Sequence, residues 1–169
     1  VSGEGAPEIV HTDGSGLNIT IVAGEWHDQI ATGLLDGAIR ALTASGVDIT
    51  VVRVPGSFEL PVITQAVLEA GADAVVALGV IIRGGTPHFE YVSDAATSGL
   101  TQVSIKTGKP VGFGLLTLDD EQQGLDRAGL PGSKEDKGAE AAEAAVATAV
   151  LLRSIRGNSI RANSIEANA

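Results

Sequence analysis

The stretch 74–82 reads Ala-Val-Val-Ala-Leu-Gly-Val-Ile-Ile and ends on Arg83-Gly84-Gly85. A run this short, apolar at nearly every position and rich in β-branched residues, predicts a strand buried on both faces. Such a strand needs cover above and below, and its neighbours in sequence supply it. Upstream, 60–70 has a helical pattern that begins after the breaker Pro55-Gly56. Downstream, Val92, Ala96, Leu100 and Val103 mark one face of a helix over 89–106. The same rhythm extends outward. Segments 17–23 and 47–54 read as strands flanking a helix over 27–45, with Ile30, Leu34, Leu35, Ala38, Ile39 and Leu42 on one face and Gly46 as its stop. Past Gly108 and Pro110, 111–116 reads as a fourth strand, 121–128 as a short helix and 137–153 as a long Ala-rich helix. Strands that alternate with helices and are apolar on both faces predict an α/β fold. The expected architecture is a doubly wound, four-stranded parallel sheet of flavodoxin-like strand order, with helices on both faces.

The chain has 169 residues, enough for one sizeable core. The body is expected over 17–155, preceded by a flexible, Gly-rich polar arm (1–16). A tail follows (156–169), repeating Asn-Ser-Ile from Asn158 and Asn163, to which no role is assigned. A formal net charge of -10 argues against nucleic acid or an anionic membrane as partner. With no Cys, disulfides and thiolate chemistry are excluded. No apolar run approaches the ~20 residues of a membrane span, and residues 1–8 have neither the basic nor the apolar region of a signal peptide. The default expectation is a cytoplasmic protein. Aromatic residues make up only 3% of the chain, so each one needs an explanation.

Open parallel sheets bind ligands outside the carboxyl ends of their strands, and the unusual residues of this chain fall at those ends. Glu25, Trp26 and His27 follow the first strand, Ser57-Phe58-Glu59 the second, Arg83 to His88 the third and Thr117 the fourth. The glycines of the third loop let amides approach an anion, Thr86 adds a hydroxyl, and the next helix offers its N-terminal dipole. The loop reads equally as a plain strand-to-helix turn. It lacks the Gly-Lys-Ser/Thr ending of a nucleotide-binding P-loop. His88, at the start of that helix, is a candidate proton shuttle, because His gives and takes protons near neutrality. His11 lies in the arm and reads as inert, and His27 reads as a cap of its helix. Trp26 is either a core residue or a stacking platform for a flat heterocycle. Glu59 is either a solvated first-turn acid or an acceptor at a ligand rim. Taken alone, Arg127 and Lys137 are surface charges flanking a Gly-rich segment.

Five blocks together resemble the lumazine synthase family: Gly56-Ser57-Phe58-Glu59-Leu60-Pro61, the stretch 78–92 with Arg83-Gly84-Gly85-Thr86-Pro87-His88-Phe89-Glu90-Tyr91, Phe113-Gly114-Leu115-Leu116-Thr117, Asp126-Arg127-Ala128-Gly129 and Lys137-Gly138. They occur in the family's order over 17–153. The resemblance implies condensation of 5-amino-6-(D-ribitylamino)uracil with 3,4-dihydroxy-2-butanone 4-phosphate to 6,7-dimethyl-8-ribityllumazine, releasing phosphate and water, with no metal or organic cofactor. By the same resemblance Trp26 stacks on the pyrimidine, and Ser57, Phe58 and Glu59 hold the ribityl chain. Val80, Ile81 and Ile82 present backbone groups to the uracil. Gly85, Thr86 and Arg127 bind phosphate, and His88 moves protons. Phe113 reaches in from a neighbouring subunit, and Lys137 lies near the pyrimidine.

The chain departs from the family in two places. Trp26 stands where Phe is commoner, and a larger ring serves the same stacking. The segment 130–136 is longer than the shortest version in shell-forming members, which favours a free homopentamer over a shell of sixty subunits. A receiver-type signalling module on this fold would need an acidic pair after the first strand and an Asp ending the third. Those places hold Glu25-Trp26 and Ile82-Arg83. The alternatives that stay open are a structural shell or carrier, and a paralogue that binds lumazine or flavin without turnover.

Overall fold

The computed structural model describes residues 4–8 and 11–157. Of the predicted tail, 158–169 lie outside the described residues, as do 1–3 and 9–10 of the arm. Four strands, β1 (Asn18–Gly24), β2 (Asp48–Val54), β3 (Ala74–Ile82) and β4 (Val111–Leu118), form one sheet in the order β2-β1-β3-β4. Every pairing is parallel, with Val22 opposite Ala77 and Ala77 opposite Phe113. This is the flavodoxin-like doubly wound order expected from the sequence.

Five α-helices cover the sheet: α1 (Asp28–Ala44), α2 (Leu60–Glu69), α3 (His88–Thr107), α4 (Glu121–Leu125) and α5 (Lys137–Arg156). Alternation along the strands divides the core. On β3, Val76 and Leu78 face the layer of α1 and α5, where Ile21, Leu34 and Leu42 are buried. Val75 and Ala77 face the layer of α2 and α3, with Val22, Leu60, Leu68 and Leu100. The burial on both faces predicted for all four strands holds for β1 and for β3 as far as Val80. It fails for the edges: β2 leaves Val51 exposed and β4 leaves Phe113 and Thr117 exposed. An edge strand has one neighbour and incomplete cover, which its composition alone does not reveal.

Glycines set how closely α5 packs. A β-carbon on Gly138 would sit 2.0 Å from the Leu34 carbonyl oxygen, and one on Gly33 2.5 Å from that of Ala128. Asp136 pins the same corner. Its Oδ1 accepts the Ala139 amide at 3.0 Å, capping α5, and its Oδ2 meets Arg40 of α1 at 2.8 Å.

Three predicted boundaries move near the site. The fourth strand runs two residues further than 111–116, so Thr117 lies inside β4 and not after it. Ser57–Glu59 form a single 3-10 turn ahead of α2. The short helix expected over 121–128 stops at Leu125, because the chain turns back on itself. The Lys134 and Glu135 amides donate to the Asp126 carbonyl at 2.8 and 3.0 Å, and Lys137 donates to Arg127 at 2.9 Å. Residues 126–137 thus make a pinched hairpin.

Candidate active site

The strand order reverses between β1 and β3, and it is at such a switch point that open parallel sheets bind ligands. Trp26 leaves the end of β1 with 65% of its surface exposed, which removes the core-residue reading. The next residue, His27, has φ 59 and ψ 67 and is the one non-glycine residue with positive φ among the described residues. The capping role expected of it is not realised by its side chain. His27 occupies the N-cap position of α1, but its side chain makes no capping hydrogen bond. Its backbone instead makes the left-handed turn that follows Trp26, and the two rings lie 6.3 Å apart.

The turn after β2 meets Trp26 across Gly56. A β-carbon on Gly56 would lie 3.2 Å from Trp26 Nε1 and 3.3 Å from Glu59 Oε2. Ser57 is buried, and its Oγ would be 2.7 Å from a β-carbon on Gly79 of β3. Trp26, Ser57 and Glu59 therefore gather beside the last residues of β3, where Ile81 and Ile82 become partly exposed while Val80 stays buried. Phe58 projects outward, 64% exposed.

Arg83 begins the third loop. Its amide donates to the Leu118 carbonyl at 2.8 Å. Its guanidinium reaches Asp119 at 2.9 Å and Glu90 of α3, and lies 4.3 Å over the Phe89 ring. The hydrogen bonds with Asp119 and Glu90 raise the Arg83 pKa above its ordinary value, and those from Arg83 hold both carboxyls below theirs. This clamp joins the ends of β3 and β4 to the first turn of α3, with 84–88 slung between them. A β-carbon on Gly84 or Gly85 would meet nothing within 4 Å, so the loop backbone is open to a ligand. Among the described residues, Gly84, Gly85 and Thr86 amides take part in none of the loop or cap hydrogen bonds. His88 is the first residue of α3 and is exposed.

The hairpin 126–137 holds Arg127 and Lys137, the two remaining cationic candidates. Arg127 donates from Nη1 to the Gln123 carbonyl at 2.9 Å and has Glu135 Oε2 at 3.5 Å from Nε. Lys137 has Glu140 at 2.7 Å and Glu135 at 3.3 Å. Burial pushes the Lys137 ammonium down, but its bonds to Glu140 and Glu135 outweigh this and lift its pKa. Neither residue is the isolated surface charge that its position in sequence suggests. Arg127 is thereby tied to Gln123 of α4, and Lys137 to Glu140 of α5.

Phe113 is likewise not brought to the rim. It is the third residue of β4, and the five residues to Leu118 carry the strand about 16 Å further on. Phe113 is 49% exposed and lies in a groove of about 330 Å³ with Leu100, Ile105 and Val111. Sequence reasoning missed Asp119 and Glu90 as partners of Arg83, and Glu135 as the bridge between Arg127 and Lys137. The one available signal was the run Lys134-Glu135-Asp136-Lys137, whose alternating charge needs a fold before it has a meaning.

The fold is a doubly wound α/β sheet of flavodoxin-like architecture, with an exposed indole, a carboxylate and an open glycine loop at the carboxyl ends of its strands. The 6,7-dimethyl-8-ribityllumazine synthase family model matches residues 16–153, and the chain belongs to that family of enzymes. The 6,7-dimethyl-8-ribityllumazine synthase of Clavibacter michiganensis subsp. michiganensis is 77% identical over 159 residues, covering 93% of this chain and 99% of that protein. Those of Leifsonia xyli subsp. xyli, with 71% identity over 93% of this chain and 100% of that protein, and of Streptomyces coelicolor, with 58% over 92% and 97%, are also similar. No described helix is long and apolar enough to cross a membrane.

Proposed function

We propose that this chain condenses 5-amino-6-(D-ribitylamino)uracil with 3,4-dihydroxy-2-butanone 4-phosphate to 6,7-dimethyl-8-ribityllumazine, in the cytoplasm and without metal or organic cofactor. The observation that carries this is the meeting of Trp26, Ser57 and Glu59 beside the open end of β3, next to the glycine loop that leads into His88. The exposed indole offers a flat face to the pyrimidine. Ser57, Phe58 and Glu59 hold the ribityl hydroxyls, and the backbone of Val80, Ile81 and Ile82 pairs with the uracil edge. Gly85 and Thr86, at the positive end of α3, receive phosphate together with Arg127.

The substrate amine attacks the ketone and water leaves to give an imine. Elimination of phosphate leaves an enol that tautomerises to a ketone, and the second nitrogen closes the ring on that carbonyl with loss of a second water. Each step moves a proton near neutral pH, the work assigned to His88. Holding the two substrates in one geometry supplies the rest of the acceleration.

Of the remaining candidates, Phe113 lies on β4 about 16 Å before the strand's end, and Arg127 and Lys137 sit on the hairpin beside Gln123, Glu135 and Glu140. We assign them to the site of a neighbouring subunit, in a ring of five closed by head-to-tail contacts. The groove around Phe113 and the exposed Ile105 give that contact an apolar centre. The test is turnover, followed by lumazine absorbance and fluorescence, together with native mass. Mixed Trp26→Ala and Phe113→Ala subunits should regain activity through hybrid sites. Binding of lumazine without turnover would favour the carrier or paralogue reading, and an active monomer would end the shared-site reading.

A further inference from the structure

Glu135 has no part in the reaction as assigned, yet it stands between the two cations that do. Its Oε2 is 3.5 Å from Arg127 Nε and its Oε1 is 3.3 Å from Lys137 Nζ. Its side chain is only 19% exposed. Glu140 adds a second carboxylate 2.7 Å from Lys137. Two cations thus face two carboxylates, and the cluster has no surplus positive charge with which to draw in an anion.

The Arg127–Glu135 contact is the loosest of the set. Charge-assisted hydrogen bonds close to ~2.7–2.9 Å, and at 3.5 Å this pair is in electrostatic reach without a full bond. Arg127 is anchored by Nη1 on Gln123, so the rest of its guanidinium can turn toward another acceptor. The backbone of Glu135 is tied down and its carboxylate has a second cation beside it. Its amide donates to Asp126 at 3.0 Å, its carbonyl accepts from Gly129 at 3.0 Å, and Lys137 holds its other oxygen.

The geometry points to Glu135 as a resident competitor for the anion site at Arg127: a phosphate group binds by taking the guanidinium from Glu135, and Glu135 takes it back when phosphate leaves. This rests on the assignment of Arg127 to phosphate. A site that binds a phosphate ester and then releases free phosphate must not hold the product too well. A fixed carboxylate beside the guanidinium weakens both bound forms and favours release.

Inorganic phosphate is the probe, with its binding measured by calorimetry and as inhibition against the butanone phosphate. Glu135→Gln keeps the size and the backbone bonds of the hairpin and removes the charge. Phosphate should bind it about two- to fivefold more tightly, the scale of a partly exposed ion pair. Glu135→Asp, with the charge kept but the reach shortened, should show a smaller gain. The double variant Arg127→Gln/Glu135→Gln should bind phosphate no better than Arg127→Gln alone. Equal or weaker phosphate binding in both Glu135 variants overturns the proposal, and leaves Glu135 as a group that merely aligns Arg127. If Arg127→Gln alone binds phosphate as wild type does, the assignment of Arg127 fails, and the proposal fails with it.

Discussion

Trp26 Nε1 stands 3.2 Å from the point where a β-carbon on Gly56 would be. The loops after β1 and β2 therefore meet at a glycine whose missing side chain is filled by an indole edge. Gly56 has φ -166, extended backbone that Ala adopts freely, so Gly56→Ala tests contact and not strain. The displaced atoms are the ends of two side chains, Trp26 and Glu59, which can shift by a few tenths of an ångström. Tm should barely change, while the KM for the pyrimidine rises about three- to tenfold, below the ~10²-fold of a 1 Å misplacement. An unchanged KM would show that this contact does not position the ring.

His88→Ala should slow turnover and leave pyrimidine binding nearly intact. General acid–base groups contribute ~10²–10⁴-fold, and the exposure of His88 lets water replace part of its work. Rates across pH, with binding measured separately, check this. An unchanged rate at every pH would remove His88 from the mechanism.

Arg127→Ala should raise the KM for the phosphate-bearing substrate far more than that for the pyrimidine. A charge-assisted hydrogen bond contributes roughly 1.5–3 kcal/mol, or about ten- to hundredfold. Steady-state kinetics with each substrate varied in turn decides the matter, and equal effects on both would point to a damaged subunit contact.

The Arg83 clamp predicts a pH dependence of known sign. Asp119 and Glu90 are held below their ordinary values of 3.8 and 4.5 by Arg83. A carboxyl with a lowered folded pKa adds stability above its unfolded pKa and loses it as pH falls through the folded one. The Tm difference between wild type and Arg83→Gln should thus be constant at neutral pH. It should shrink from about pH 4.5 downward and vanish once both carboxyls are protonated. A difference unchanged in acid would mean that the ion pairs contribute nothing to the clamp.

Gly138→Ala should cost stability outright. Its β-carbon would lie 2.0 Å from the Leu34 carbonyl oxygen, and backbone on backbone has no side chain to move aside. Overpacking costs about 1–3 kcal/mol, which corresponds to roughly 2–12 °C in Tm for a domain of this size. A melting curve that matches wild type would show that α1 and α5 can separate freely.

What the sequence made legible follows from what periodicity encodes. The stretch 74–82 was expected as a doubly buried strand and forms β3 over Ala74–Ile82, because a central strand writes its environment into every residue. Trp26, Ser57 and His88 were expected after strand ends and lie there, since parallel topology sends all those ends to one rim. Glu135 was not legible. Its link to Arg127 and Lys137 depends on a hairpin without periodic pattern, closed by backbone bonds around Asp126. The end of β4 was misjudged for a related reason. At an edge, Thr117 can face outward within a strand, and there a polar residue no longer marks a terminus.

His27 carries its left-handed backbone without the freedom of glycine, a conformation that costs an ordinary residue roughly 1–2 kcal/mol. Selection for heat tolerance alone would therefore favour His27→Gly wherever the relieved strain exceeds the roughly 0.4–1 kcal/mol that glycine's added freedom in the unfolded chain costs. The same change frees the segment just after Trp26 and widens the range of orientations open to the indole. With Trp26 as the proposed stacking face, thermostability and catalytic efficiency are set against each other at a single backbone torsion, and a screen for survival of heating alone would return robust but sluggish proteins.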